Sequence, residues 1–495
     1  MDFTATIRKQ FLGDRESPAI EFEGQWYTRG ELADYADGIA ALLRQAGVPE
    51  TSAVGIVVRN RVPHAAAILG LVAANRSFSM IYAFQSPEAI AKDVAKLGLA
   101  AVVADREDWT APVIEAARAA GSLGIAVAIS GPRVALVPQL STLGAGPFRE
   151  APAEPGIEVL TSGTTGAPKR IHIRMPVLER AVSSATAQVM PDADEPPDLV
   201  FWPFGGIGGV CQLLGATYVG KRMVLLEKFN VADWVGAIKR YKITKVGVQP
   251  TVIRMVLEAK VPKEDLASLV FIFGGSAPLE PATQQRFEQT YGLPVVWGYG
   301  ATEFAGTIIA WTPDLVKRYG EAKRGSIGKA FPGVQIRVVD PQSGIEVAPG
   351  EQGYLEALVP LVNPDWIRTT DIASIDADGF VTLHGRGDGA IIRGGFKVLP
   401  ETVVKTLIRH PAVLDAAVVG LPEARLGEIP VAAVELRAGV AEPSEAELKN
   451  FLREHLPSHH VPAQIRFVER LPRTPSLKVS LGAVREMFAD YAASN

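Results

Sequence analysis

Short apolar runs alternate with segments of helical spacing through most of residues 1–387. Val54 to Val58, Ala101 to Ala104, Met223 to Leu226, Val246 to Val248, Val270 to Phe273 and Pro294 to Val296 have strand length and little polarity, as strands covered on both faces do. Between them, Ile90 to Leu97, Ala232 to Tyr241 and Ala282 to Tyr291 gather apolar residues on one face at intervals of three and four. That alternation predicts an α/β fold built on largely parallel sheets. The run Ala65 to Ala74 is too short to cross a bilayer and reads as a buried helix or strand. Gly131 to Gly156 is rich in proline and glycine without a clear period, so it reads as a linker into the strand Ile157 to Leu160.

From Gly325 the texture changes. Ile327, Val334, Ile336 and Val338 alternate with polar residues, and turns are signalled at Asp340-Pro341 and Pro349-Gly350. Tyr354 to Leu358 and Phe380 to Leu383 follow, the pattern of short antiparallel strands in a small β-barrel. Gly385-Arg386-Gly387-Asp388-Gly389 then interrupts the chain. Beyond it the pattern predicts a compact α+β tail: a helix from Pro400 to Ile408, strands at Val413 to Val419 and Val431 to Glu435, and a helix from Ser444 to His455. A boundary therefore falls at Asp388, separating a large domain of residues 1–387 from a small one of residues 388–495. A chain of 495 residues exceeds what one core serves, which agrees with that division.

Composition narrows the class. Hydrophobic residues make up 47% and the mean hydropathy is +0.15, values of a well-buried globular protein. A net charge of −4 offers no general attraction to a nucleic acid backbone. Cys211 is alone and has no internal disulfide partner, which fits a reducing compartment. The first ten residues lack an apolar signal core, so a soluble cytoplasmic protein without a membrane span is expected.

The densest chemistry lies at Thr161-Ser162-Gly163-Thr164-Thr165-Gly166-Ala167-Pro168-Lys169-Arg170, directly after a strand. Gly163 and Gly166 let backbone N–H groups turn toward an anion, four hydroxyls add donors, and Lys169 adds a point charge. Such a loop suits a polyphosphate. It is not a Walker loop, because Pro168 precedes the lysine and Arg170 follows it. A second glycine-rich turn, Trp297 to Glu303, follows an apolar strand, where α/β folds place ligands.

The first of these segments closely resembles the phosphate signature of the adenylate-forming superfamily, which includes acyl- and aryl-CoA synthetases, luciferases and peptide-synthetase adenylation domains. Further motifs follow in family order to the C-terminus. The resemblance implies that Tyr299 stacks on adenine beside Gly300, that Thr302 belongs to the same motif, and that Glu303 is linked to Mg²⁺. Gly274, Gly275, Ser276, Ala277 and Pro278 match the loop bordering adenine. Asp371 matches the acceptor of both ribose hydroxyls, Arg386 a nucleotide contact, and Asp388 the hinge on which the small domain swings. Lys478 matches the mobile catalytic lysine that bridges substrate carboxylate and α-phosphate. Here Leu477 stands where the family usually has glycine, and Thr369-Thr370-Asp371 replaces Thr-Gly-Asp.

The family's two-step reaction is implied as well: carboxylate and MgATP give an acyl-adenylate and pyrophosphate, then a nucleophile, most often the thiol of CoA, releases AMP. Gly394 and Gly395 match the loop lining the thiol tunnel, and Lys397 either neutralises a phosphate of AMP or CoA or faces solvent. Gly206 stands where many CoA ligases carry a histidine. With Gly205, Gly274, Gly298, Ala301, Ala305 and Gly306 it suggests a roomy apolar slot flanked by Trp202 and Phe204, although single glycines here also serve turns. A bulky or flat acid such as an aryl acid is expected. His172 and Arg174 receive no role. An amide-bond synthetase, passing the acyl group to an amine, is the main rival; a non-catalytic nucleotide-binding protein is another.

Overall fold

The computed structural model describes residues 2–160, 170–186, 195–387, 389–393, 396–423, 426–474 and 477–493. It is an α/β structure in two compact units. The first holds Met1–Ser162, Pro168–Gly247 and Ala301–Gly306; the second holds Val248–Gly300 and Thr307–Asn495.

The first unit is organised on a seven-stranded sheet. Its five inner strands, Leu123–Val127, Ala101–Asp105, Val54–Val58, Phe78–Tyr82 and Gly156–Leu160, run parallel, and antiparallel strands Val134–Leu136 and Arg170–Arg174 close its two edges. All five residues of Val54–Val58 and of Ala101–Asp105 are buried, as expected where helices cover both faces. One such cover is made by Ile90, Val94 and Leu97 with Val113 and Ala117, packed against Val57, Ile81, Val102 and Ala104. The apolar run at Ala65 is a helix, Val62–Ala73, with eleven of its residues buried. The segment read as a linker contains the edge strand Val134–Leu136; at three residues it is too short to show a period. Behind the strand entering the phosphate loop, buried Glu158 accepts from the Arg149 guanidinium and from Ser79. A smaller sheet joins strands Asp198–Val200, Met223–Leu225, Pro18–Phe22 and Gln25–Thr28.

In the second unit, Lys245–Val248, Phe271–Gly274, Val295–Ala301, Gly306–Ala310 and Lys329–Ala330 form a five-stranded sheet in that order, the first strand starting in the other unit. Strands Gln335–Val339, Gly353–Leu358, Ile367–Ile375 and Val381–Arg386 follow, each antiparallel to the next. The expected small barrel is corrected here: these strands keep a linear order, and no pairing closes them among the described residues. Register shifts at Tyr354/Glu356 and Ile372/Ala373 twist this sheet without closing it.

The tail matches its pattern closely. Helix Pro400–Ile408 has the expected bounds, and helix Glu445–His455 starts after Ser444, which forms a capping box with Glu447. Strands Val413–Glu423 and Gly427–Leu436 pair over most of their length. Ala416, Val418, Ala432 and Val434 face Val403, Leu407, Leu448 and Leu452, while Ala417, Val419, Val431 and Ala433 face Leu471, Val484 and Phe488. The period of two thus serves two cores, one on each face.

Candidate functional site

Strands Phe271–Gly274 and Val295–Ala301 are parallel neighbours, so the loops that leave them depart from the same sheet end. The loop after the first strand is Gly275 to Pro278. The indole of Trp297 donates to the Ala277 carbonyl at 3.2 Å and ties the first loop to the second strand. Exposed Ser276 sits there with φ of 71°.

Tyr299, at the end of its strand, donates its hydroxyl to Asp371 Oδ2 at 2.5 Å. Burial first, then the Asp371 charge, raises this phenol well above its ordinary range, so it stays protonated and donating. Asp371 and Arg386 face each other on adjacent antiparallel strands. Arg386 donates from Nε and Nη2 to Thr370 Oγ1 at 3.1 and 2.5 Å. Thr369 Oγ1 accepts from the Asp371 N–H at 3.1 Å and donates to the Leu355 carbonyl at 2.8 Å, which fixes the aspartate's backbone. A Cβ on Gly387 would lie 2.5 Å from Tyr354 Cε1, so only glycine lets the chain pass that ring. A carboxylate, a phenol and a guanidinium are thus gathered at one place: a strong acceptor for a diol beside donors for anionic oxygen.

Lys478 belongs to a tight turn closed by the Arg473–Val479 bridge. Thr474 N donates to the Lys478 carbonyl at 2.7 Å, and Leu477 N donates to the Thr474 carbonyl at 2.8 Å. Leu477 has φ of 61°, so a leucine holds the backbone shape that glycine adopts freely, at a cost of about 1–2 kcal/mol. Its carbonyl accepts from Thr251 Oγ1 at 3.1 Å, at the start of helix Pro250–Glu258. Beside this contact lies a charge cluster that sequence reasoning missed. Arg254 donates to both oxygens of Glu280 at 2.7 and 2.8 Å and to Asp415 at 3.0 Å, and Arg473 donates to Asp415 at 2.6 Å. No local spacing announces it, because its members come from four distant stretches of chain.

In the first unit, the Trp202 to Gly209 segment is clamped by Asn60, which sequence reasoning also missed. Asn60 Nδ2 donates to the Trp202 carbonyl at 2.9 Å, and its Oδ1 accepts from Phe204 N at 2.9 Å. Trp202 donates from its indole to the Gly247 carbonyl at 3.0 Å, and the Phe204 ring is buried. A Cβ on Gly208 or Gly209 would strike the Trp202 ring or the Pro203 carbonyl, so these two serve packing. Gly206 differs: a Cβ there meets nothing nearer than Tyr82 Oη at 3.5 Å. In the turn Thr302–Phe304, Glu303 is exposed and Phe304 buried. Gly274 and Gly298 belong to the second unit, where Gly274 packs under Trp297 and the Val248 carbonyl, and Gly298 beside Thr307 and Ala310. Arg174 pairs with Glu154 at 3.0 Å, and His172 Nε2 lies 3.0 Å from the Glu154 carbonyl, while its Nδ1 is buried and meets no partner. Thr161 to Lys169, Asp388, Gly394, Gly395 and the side chain of Lys397 lie outside the described residues.

Comparison with known proteins bears on the family and the fold. The family model for AMP-binding enzymes matches residues 7–358, and that for the AMP-binding enzyme C-terminal domain matches residues 405–478. The chain is 29% identical over 508 residues to 4-coumarate–CoA ligase-like 9 of Oryza sativa subsp. japonica, covering 94% of this chain and 88% of that one. It is 31% identical over 374 residues to 4-coumarate–CoA ligase 2 of the same plant, covering 69% and 63%. Among solved structures, the amide bond synthetase McbA from Marinactinospora thermotolerans superposes with a TM-score of 0.80 at 25% identity, covering 98% of this chain and 100% of that one. ATP-bound MatB from Rhodopseudomonas palustris gives 0.83 at 23% identity, with 99% of each chain covered.

Proposed function

Since the chain belongs to the AMP-binding enzyme family, we propose that it is an ATP-dependent carboxylic acid ligase that forms an acyl-adenylate and passes the acyl group to the thiol of CoA, with release of AMP and pyrophosphate. The observation that carries this reading is the junction of Tyr299, Asp371 and Arg386, where a carboxylate and a guanidinium stand opposite each other beside a half-buried phenol. In it, Asp371 accepts the ribose hydroxyls, Tyr299 and Gly300 face adenine with the Gly275 to Pro278 loop, and Arg386 reaches ribose or phosphate oxygens. The segment Thr161 to Lys169 holds the β- and γ-phosphates. Lys478 is placed between two anions that must react, the acid's carboxylate and the α-phosphate.

Exposed Glu303 has the hard oxygen donors that suit a magnesium ion, with Thr302 beside it. Among the described residues no group of three or more His, Cys, Asp or Glu stands ready as a metal cage, so the remaining ligands would be phosphate oxygens and water. Magnesium bound there would shield phosphate charge while pyrophosphate departs. Residues 388–495 would swing about Asp388, withdrawing Lys478 and bringing Gly394, Gly395 and Lys397 to the thiol path.

A bulky or aromatic acid, carried beside Trp202 and Ala301, is favoured by the missing side chain at Gly206, where a Cβ would stand in ordinary contact with Tyr82 Oη at 3.5 Å and the Pro203 carbonyl at 3.7 Å. The same absence of a side chain leaves room for an amine, which keeps amide synthesis as the second reading. Pyrophosphate release is the test, run over a panel of carboxylic acids with CoA or with amines and followed by mass spectrometry. Aryl-CoA products support the first reading and amides the second. Turnover of acetate alone refutes the bulky-acid preference, and no ATP–pyrophosphate exchange with any acid refutes adenylation. No described helix is long and apolar enough to cross a membrane, and cytoplasmic residence is proposed from the lone Cys211, which has no disulfide partner in the sequence.

A further inference from the structure

Arg180, on helix Met175–Thr186, stands between the two segments of the first unit to which the proposed function assigns acid binding. Its Nη2 donates to the Phe304 carbonyl at 2.6 Å, in the turn that carries Thr302 and Glu303. Its Nε is buried and meets no acceptor. Next along the same helix, Ala181 lies under Gly306, 3.7 Å from where a Cβ would be. On the other side, helix Ile207–Tyr218 begins at Gly206 and brings Cys211 within electrostatic reach of the guanidinium. Burial pushes that thiol up to about 12, so it is neutral and no counter-ion. Among the described residues, no carboxylate pairs with Arg180.

A half-buried guanidinium with one backbone acceptor and a buried, unpartnered Nε is costly, and burial lowers its pKa accordingly. Such a group is balanced when a bound ligand supplies the missing acceptor. Its position then matters: one face is fixed on the Phe304 carbonyl, and the planar fork leaves further N–H donors in the plane of that contact. Resting on the acid-adenylating reading, we propose that Arg180 is a specificity-determining residue that pairs with a second oxygen acceptor, a carboxylate or carbonyl, on the acyl part of the acid and remote from the carboxylate being activated. Methionine of similar length would keep the packing and lose the donors, whereas lysine would keep a point charge without the fork. The alternative is structural: Arg180 only caps the turn before Ala305, which has φ of 56°.

ATP–pyrophosphate exchange with matched aryl acids separates these roles. Benzoate is compared with benzene-1,3-dicarboxylate, benzene-1,4-dicarboxylate and 4-acetylbenzoate, for the intact chain and for Arg180→Met and Arg180→Lys, with melting temperatures measured alongside. The inference expects the unaltered chain to favour an acceptor-bearing acid. Arg180→Met then loses roughly 10- to 100-fold in kcat/KM on that acid, mainly through KM, and under about threefold on benzoate. Arg180→Lys retains an intermediate preference, and its result stands if the methionine variant fails to fold. An equal loss on all four acids, or no loss, overturns the inference in favour of a turn cap. Exchange by the unaltered chain without discrimination overturns the Arg180 assignment alone. No exchange with any acid overturns the adenylating reading and this inference with it.

Discussion

The cluster of Arg254, Glu280, Asp415 and Arg473 allows a quantitative test of how Lys478 is held in place. Asp415 is 3% exposed and accepts from Arg254 and Arg473, at 3.0 and 2.6 Å. Asp415→Asn keeps the volume and removes the charge. Each charge-assisted bond is worth about 1.5–3 kcal/mol, and breaking a buried ion pair costs about 3–5 kcal/mol. Arg254 retains two bonds to Glu280, and Arg473 is 19% exposed at its side chain, so the lower end, about 3 kcal/mol, is expected. Asp415 lies on strand Val413–Glu423 and Arg254 on helix Pro250–Glu258, which also meets the Leu477 carbonyl through Thr251. The lost energy therefore falls on the seating of the Lys478 turn against that helix. ATP–pyrophosphate exchange should slow roughly 100-fold, while acyl transfer from supplied acyl-adenylate changes under about threefold. A double-mutant cycle with Arg254→Met should give a coupling above about 1 kcal/mol. Equal losses in both half-reactions, or a coupling within about 0.3 kcal/mol of zero, would refute the reasoning.

Four further outcomes follow from the structure. His64 is fully buried, and burial first, then the charges of Arg61 and Arg59, set its pKa down to about 4 against the opposing pull of Asp105. Between about pH 6.5 and 4 the unfolded chain binds a proton that the folded chain refuses, so stability drops by about 1.4 kcal/mol per unit as pH falls, near 3 kcal/mol in all. In His64→Leu that share of the slope disappears from urea melts at pH 7.5 and 5.5; identical slopes would contradict it. Leu477→Gly relieves the left-handed backbone and should leave exchange within about twofold while Leu477→Val, β-branched at the same φ, loses about tenfold. Tyr299→Phe removes the donor to Asp371 and should raise KM for ATP about tenfold with the melting temperature little changed, since the ring stays. Gly387→Ala drives a methyl into Tyr354 and should raise KM for ATP more than Tyr299→Phe does, because it moves Arg386 itself.

Local order was legible wherever one period governed a segment. Helix Pro400–Ile408 and the strands at Val54 and Ala101 follow directly from apolar spacing, because each buries one stripe or two full faces. Closure was not legible. Alternation at Val334 to Val338 and Tyr354 to Leu358 specifies antiparallel strands, but whether they curl into a barrel depends on register shifts that no pattern encodes. The same limit hid Arg180, Asn60 and Arg254. Each earns its role from a partner more than a hundred residues away: Phe304, Trp202 and Asp415. The roles proposed for Lys478 and Tyr299 rest on motif resemblance alone, since an isolated lysine or tyrosine carries no period at all.

The tail's central pair of strands, Val413–Glu423 and Gly427–Leu436, is covered on both faces by apolar residues that all come from beyond residue 390. A body furnished in this way does not borrow oil from its surroundings. The swing proposed about Asp388 would wet charges and hydroxyls such as Asp415, Arg473 and Thr251. Such a swing would carry a small heat-capacity change and would leave the tail's own cores closed.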